Sequence, residues 1–139
     1  DFDIVCVPVG TGGTFSGVIR GLKTSQFALG FSVLKGGDFL TAEVKKYVNT
    51  SNWSIQLDYH FGGYAKVSQQ LVTFMNEFKR DFSIQLEPIY TAKMFYGIFD
   101  MIKNNYFPPN STIIAIHTGG LQGIEGMNQR LQSKLWKID

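Results

Sequence analysis

The run Ile4–Val9 (IVCVPV) carries no polar alternation and passes straight into Gly10-Thr11-Gly12-Gly13-Thr14, then into a helical pattern. An unalternated β-branched run is the signature of a parallel strand covered on both faces. This constrains the chain strongly, because such a strand needs sheet neighbours and helical layers above and below. Residues 14–23 follow with Phe15, Val18, Ile19 and Leu22 on one helical face, and Thr14 is expected as the N-cap.

The rest of the chain keeps the rhythm. Strands are expected over 27–34, 53–59 and 112–116, and helices over 39–48 (N-cap Asp38), 69–82, 92–104 and 124–131. Helix 92–104 is opened by Tyr90-Thr91 and closed before Pro108-Pro109. The expected fold is therefore α/β: three αβα layers around an open, mainly parallel sheet. Residues 1–139 read as a single segment, with no repeat or internal linker. A buried strand at the very start points to the C-terminal part of something longer.

Composition narrows the function. With 13 Lys and Arg against 11 Asp and Glu, the net charge of +2 is too mild and too dispersed for a nucleic-acid binder. No stretch reaches membrane-span length and no signal peptide is evident, so a cytoplasmic location is expected. Cys6, the one cysteine, lies in an apolar run and reads as a small hydrophobe. His60 and His117 flank glycine turns without carboxylate or thiolate companions at ligand spacing. No metal site is expected, and His117 reads as ordering its loop.

Two glycine-rich turns, Gly10–Thr14 and His117–Gly120, each follow a buried strand. Ligands of open α/β sheets bind beyond the carboxyl ends of the strands, so both turns face the binding edge. Backbone N–H groups in such a turn, aimed by a helix N-terminus, form an anion site, and Thr11 and Thr14 add hydroxyls. The dinucleotide fingerprint fails at Phe15, the Walker A loop at Val18 and the nucleophile elbow at Thr14 and Val18.

Four segments in this order, VGTGGTFSGVIRGL, HFGGYAK, EPIYTAKMFYGIFDMI and IHTGGLQGIEG, resemble the C-terminal half of pyridoxal-phosphate enzymes. The subgroup is that of 1-aminocyclopropane-1-carboxylate deaminase and D-cysteine desulfhydrase, within the tryptophan-synthase-β-like, fold type II superfamily. The resemblance implies that Gly10, Thr11, Gly12, Gly13 and Thr14 hold the phosphate of pyridoxal 5'-phosphate. It places Thr91 at the pyridine nitrogen, Thr118 along the pyridine side, and Tyr90 near the substrate as proton donor or orienter. The deaminases proper carry Glu where this chain has Thr91, which makes the site more similar to the desulfhydrase branch. The implied protein is a homodimeric lyase or deaminase acting on a small amino acid.

The resemblance also implies a Schiff-base lysine in an N-terminal half. Lys93 lies in the wrong motif for it, and Lys35 reads as structural or surface. By this reading the chain alone is inactive, and its open sheet edge predicts self-association. The competing reading is a non-catalytic α/β module that binds a phosphorylated ligand. Tyr64 reads equally as a ligand contact or as cover for the sheet edge.

Overall fold

A computed structural model describes residues 1–139. Four strands, β1 (Ile4–Val9), β2 (Phe27–Ser32), β3 (Trp53–Gln56) and β4 (Ile113–Ala115), form one parallel sheet in the order β3-β2-β1-β4. Five α-helices accompany them: α1 (Gly13–Arg20), α2 (Phe39–Lys45), α3 (Gln69–Phe82), α4 (Thr91–Lys103) and α5 (Ile124–Leu131). The chain steps outward from β1 to β3 and then returns to pair β4 on the other side of β1. The sheet therefore has its switch point between β1 and β4.

Strand alternation sorts the core into two faces. Val5, Val7 and Val9 pack with Phe15 and Ile19 of α1 and with Leu40 and Val44 of α2. Cys6, Leu29 and Phe31 meet Met94, Ile98 and Met101 of α4 on the opposite face. A further layer joins Leu71, Val72, Met75 and Phe78 of α3 to Met127 and Leu131 of α5. The expected three-layer α/β architecture is thus the one observed. Burial raises the Cys6 thiol to about 12, so it behaves as a buried apolar group.

Helix α4 approaches the sheet closely at one point. A Cβ on Gly97 would lie 2.6 Å from Phe31 Cε2, so only glycine permits that contact. Around it, Phe74, Phe78, Phe82, Phe95, Tyr96 and Phe99 form a network of edge-to-face and tilted aromatic contacts between α3 and α4.

The differences from the expected elements have physical reasons. Thr14 is not the N-cap: α1 starts at Gly13 behind Gly12, whose φ of 94° is left-handed, and no side chain caps the helix. The turn is tighter than the threonine pattern suggested, and Gly21 closes the helix before Lys23. Asp38 precedes α2 but makes no capping bond, and the helix ends at Lys45. Regular strand β2 ends at Ser32, although Val33 is buried and its N–H still donates to Val9 O at 3.1 Å as the chain leaves the sheet. Strand β3 stops at Gln56, and Tyr59 turns away so that its hydroxyl donates to Asp100 Oδ2 at 2.8 Å.

Candidate functional site

At the switch point the chain leaves β1 through Gly10–Gly12 and leaves β4 toward Thr118–Gly120. Between them lies a cleft of about 340 Å³, lined by Gly10, Thr11, Gly12, Thr14, Tyr90 and the Thr118–Gly120 segment. The first N–H groups of α1 have no intrahelical acceptor, and no side chain takes their place. Thr11 and Thr14 line the cleft beside them and can add hydroxyl donors. This supplies donors and positive potential but no negative charge, which is the chemistry of an anion cradle. A wider cleft of about 860 Å³ lies at the opposite, amino edge of the sheet, between the ends of α1 and α2, and has no such convergence.

Glycine is required in the cradle for two distinct reasons. Gly12 sits in left-handed backbone, and a Cβ there would come 3.3 Å from Val44 Cγ2. A Cβ on Gly10 would meet Tyr90 Cε1 at 3.3 Å, so a side chain at that position would crowd the phenol. Gly13 lies on the outer flank of the turn, beside Arg20 and Tyr47, while Thr14 lines the cleft.

Tyr90 is held from below. The buried Glu87 carboxylate accepts N–H bonds from Ile89 (2.8 Å), Tyr90 (2.5 Å) and Thr91 (2.6 Å), which satisfies the backbone entering α4. The Glu87 N–H in turn donates to Thr91 Oγ1 at 3.0 Å. Thr91 is fully buried and does not line the cleft; its hydroxyl is occupied by the Glu87 backbone. The structure thus brings Tyr90 and Thr118 to the cleft with the Gly10–Thr14 turn, and places Thr91 behind them.

Above the cleft, Tyr90 Oη donates to Tyr64 Oη at 3.2 Å, with the two rings edge-on at 6.1 Å. The Tyr64 hydrogen bond, followed by partial burial, pushes the Tyr90 phenol up to about 12. Tyr90 therefore keeps its proton at neutral pH. Tyr64 rides on the loop 60–66, whose buried Gly63 carbonyl accepts from Lys93 Nζ at 2.9 Å. Burial lowers the Lys93 ammonium to about 8, partly offset by Glu87.

Both histidines order glycine turns. His117 Nδ1 accepts from Gly119 N–H at 3.0 Å and its Nε2 donates to Gln85 O at 2.7 Å. His60 Nδ1 accepts from Gly62 N–H at 3.0 Å in the loop that carries Tyr64. Sequence reasoning missed Glu87 and the burial of Lys93. A signal existed for the second: Lys93 stands four residues before Gly97 on the stripe by which α4 meets the sheet.

A parallel sheet with uncapped helix amides and glycine turns at its switch point defines an α/β protein whose cleft has the chemistry to take an anion. Comparisons with known proteins narrow this further. The chain is 31% identical over 144 residues to the Thermotoga maritima protein named "Putative 1-aminocyclopropane-1-carboxylate deaminase", covering 94% of this chain and 45% of that one. It is 26% identical over 141 residues to a 1-aminocyclopropane-1-carboxylate deaminase of Bradyrhizobium sp. (strain ORS 278), covering 90% of this chain and 42% of the relative. Among solved structures, a crystal structure of an ACC deaminase homologue superposes with a TM-score of 0.80 at 26% identity, over 95% of this chain and 44% of that one. No protein-family model matches the chain. The chain thus resembles deaminase-named proteins along most of its length and spans less than half of theirs.

Proposed function

We propose that this chain is the cofactor-holding half of a pyridoxal-phosphate-dependent lyase or deaminase acting on a small amino acid. The observation that carries the reading is the cradle at the β1–β4 switch point, with a protonated tyrosine beside it. The residues fit the group: capless α1 amides with Thr11 and Thr14 suit a phosphate, and the Gly10–Tyr90 and Thr118–Gly120 walls leave room for a flat ring. Bound there, pyridoxal 5'-phosphate supplies an electron sink for bond cleavage at the α-carbon of an amino acid.

The chain's own residues then have separable tasks. Gly10–Thr14 bind and orient the phosphate. Thr118 meets the pyridine side with an uncharged hydroxyl, and Thr91 acts through Glu87 to fix the start of α4. Tyr90 holds a proton on Oη and offers it to the substrate. Glu87, the carboxylate of this cluster, is taken up by three backbone N–H groups. With Thr91 turned to the Glu87 backbone, the uncharged Thr118 hydroxyl would not force a ring nitrogen beside it into its protonated form. That milder sink suits elimination of a small leaving group, as in a D-cysteine desulfhydrase, more than the aminocyclopropane ring opening for which the relatives are named.

The lysine that carries the cofactor would come from the half of the relatives that this chain does not span, and the working enzyme would be a homodimer. The test is the visible spectrum of the full-length polypeptide with added cofactor, before and after borohydride. A band that borohydride bleaches is expected. No band at saturating cofactor would leave a non-catalytic module that binds a phosphorylated ligand.

A further inference from the structure

The loop 60–66 is held in a conformation that its own backbone disfavours. Phe61 (φ 56°), Gly62 (103°), Gly63 (129°) and Ala65 (57°) all lie at positive φ, and two of them carry side chains. Such stretches persist only where the surroundings over-determine them. The loop's internal bonds are short-range: Gly62 N–H to His60 Nδ1, Gly63 N–H to His60 O and Lys66 N–H to Gly63 O. Two further bonds tie it to α4, from Lys93 Nζ to Gly63 O and from Tyr90 Oη to Tyr64 Oη. Tyr90 is the N-cap of α4 and Lys93 stands three residues on, in its first turn.

An amine is a costly filler for this position. Lys93 is fully buried, and a methionine would occupy similar volume without desolvating a charge. What methionine cannot do is donate to the second lone pair of the Gly63 carbonyl. We propose that Lys93 is a positioning residue: its buried ammonium clamps the strained loop through Gly63, so that Tyr64 meets Tyr90 over the cleft. The catalytic part of this inference rests on the enzyme reading above, whereas the clamp does not. Glu87 is the acidic group acting on Lys93, and Lys35 flanks the loop at Gly63.

The experiment uses the full-length polypeptide, first without cofactor. Carbon NMR should show the Lys93 ε-carbon and the Gly63 carbonyl shifting together with pH, at a midpoint near 8. In Lys93→Met, amide exchange over residues 61–65 should rise about tenfold or more. The Tyr90 phenol should fall from about 12 toward the ordinary 10. With cofactor, turnover of Lys93→Met should drop about 100-fold with KM little changed, and Lys93→Arg, which keeps the cation, should recover part of it.

A Gly63 carbonyl that ignores the Lys93 titration overturns the proposal, and this wild-type measurement decides even if the variant does not fold. A folded Lys93→Met with native loop exchange and tyrosine titration overturns it as well. So does native turnover in a variant that keeps its cofactor band. Failure of the enzyme reading looks different: the wild type lacks the borohydride-sensitive band, while the NMR and exchange results stand.

Discussion

The Gly10–Thr14 turn lines the cleft and the loop 60–66 braces its Tyr90 wall through Tyr64, yet they are built on opposite plans. The turn has no side chain on its N–H groups: Ser16 Oγ donates only to the Gly12 carbonyl at 2.7 Å, α1 starts uncapped, and its donors are left open. The loop is tethered at several points, by His60, Lys93 and the Tyr64–Tyr90 pair. A backbone that must present N–H groups to a ligand needs those groups free, so the ligand completes its hydrogen bonding. A backbone that must aim a side chain needs its own groups spoken for before any ligand arrives. Binding and positioning thus place opposite demands on two neighbouring loops.

The contrast breaks most severely at Gly12. Gly12→Val should lower stability by about 3 kcal/mol in urea unfolding, through left-handed strain plus the clash with Val44. It should also abolish phosphate-dependent cofactor binding in calorimetry; retained binding would move the anion site elsewhere. Next comes Glu87→Leu, which strips the acceptor from three N–H groups at the start of α4. A loss of about 2 kcal/mol is expected, together with a Tyr90 titration that leaves its raised range.

The third effect is a pH signature. Folded Lys93 titrates near 8 against an ordinary 10.5, so between those values the unfolded chain binds more protons and stability rises with pH. Cys6 opposes this above 9.0, and Tyr59 and Tyr90 above 10.0, because all three are raised to about 12 and hold their protons in the fold. The net rise is therefore confined to pH 8–9 and amounts to about 1 kcal/mol. Chemical denaturation across that interval should show it in the wild type and not in Lys93→Met. The smallest effect is Thr14→Ala, expected to change stability by only a few tenths of a kcal/mol, since Thr14 caps nothing; a true N-cap threonine would cost about 1 kcal/mol.

The parts of this site that were legible in the sequence are those written in backbone chemistry. Ile4–Val9 announced a doubly covered strand, and the glycines after β1 and β4 announced turns at its carboxyl edge; β4 itself runs only from Ile113 to Ala115. The layered α/β fold follows from these because a parallel sheet admits few other solutions. Strand ends were less legible, since the apolar run continues through the buried Val33 beyond Ser32, the last regular strand residue, and hydropathy does not see where the backbone leaves the sheet. Long-range polar pairing was not legible at all. Nothing local to Lys93 announces a carbonyl 30 residues earlier in the chain, and the Thr91 hydroxyl was read without the Glu87 backbone that occupies it.

The contact of Gly97 with Phe31 reaches further than the core. Tyr90, the N-cap of α4, lies seven residues earlier, about 10 Å up the axis at roughly 1.5 Å per residue. The bare backbone at position 97 works as a gauge block: it sets how deeply the helix seats on β2, and so the height at which the phenol stands over Gly10. Widening that seat by one methyl group would tilt a rigid lever whose far end carries the proton. The tolerance of the cleft is machined at a place that touches no ligand, and selection on the chemistry would be felt there as well as at the tyrosine.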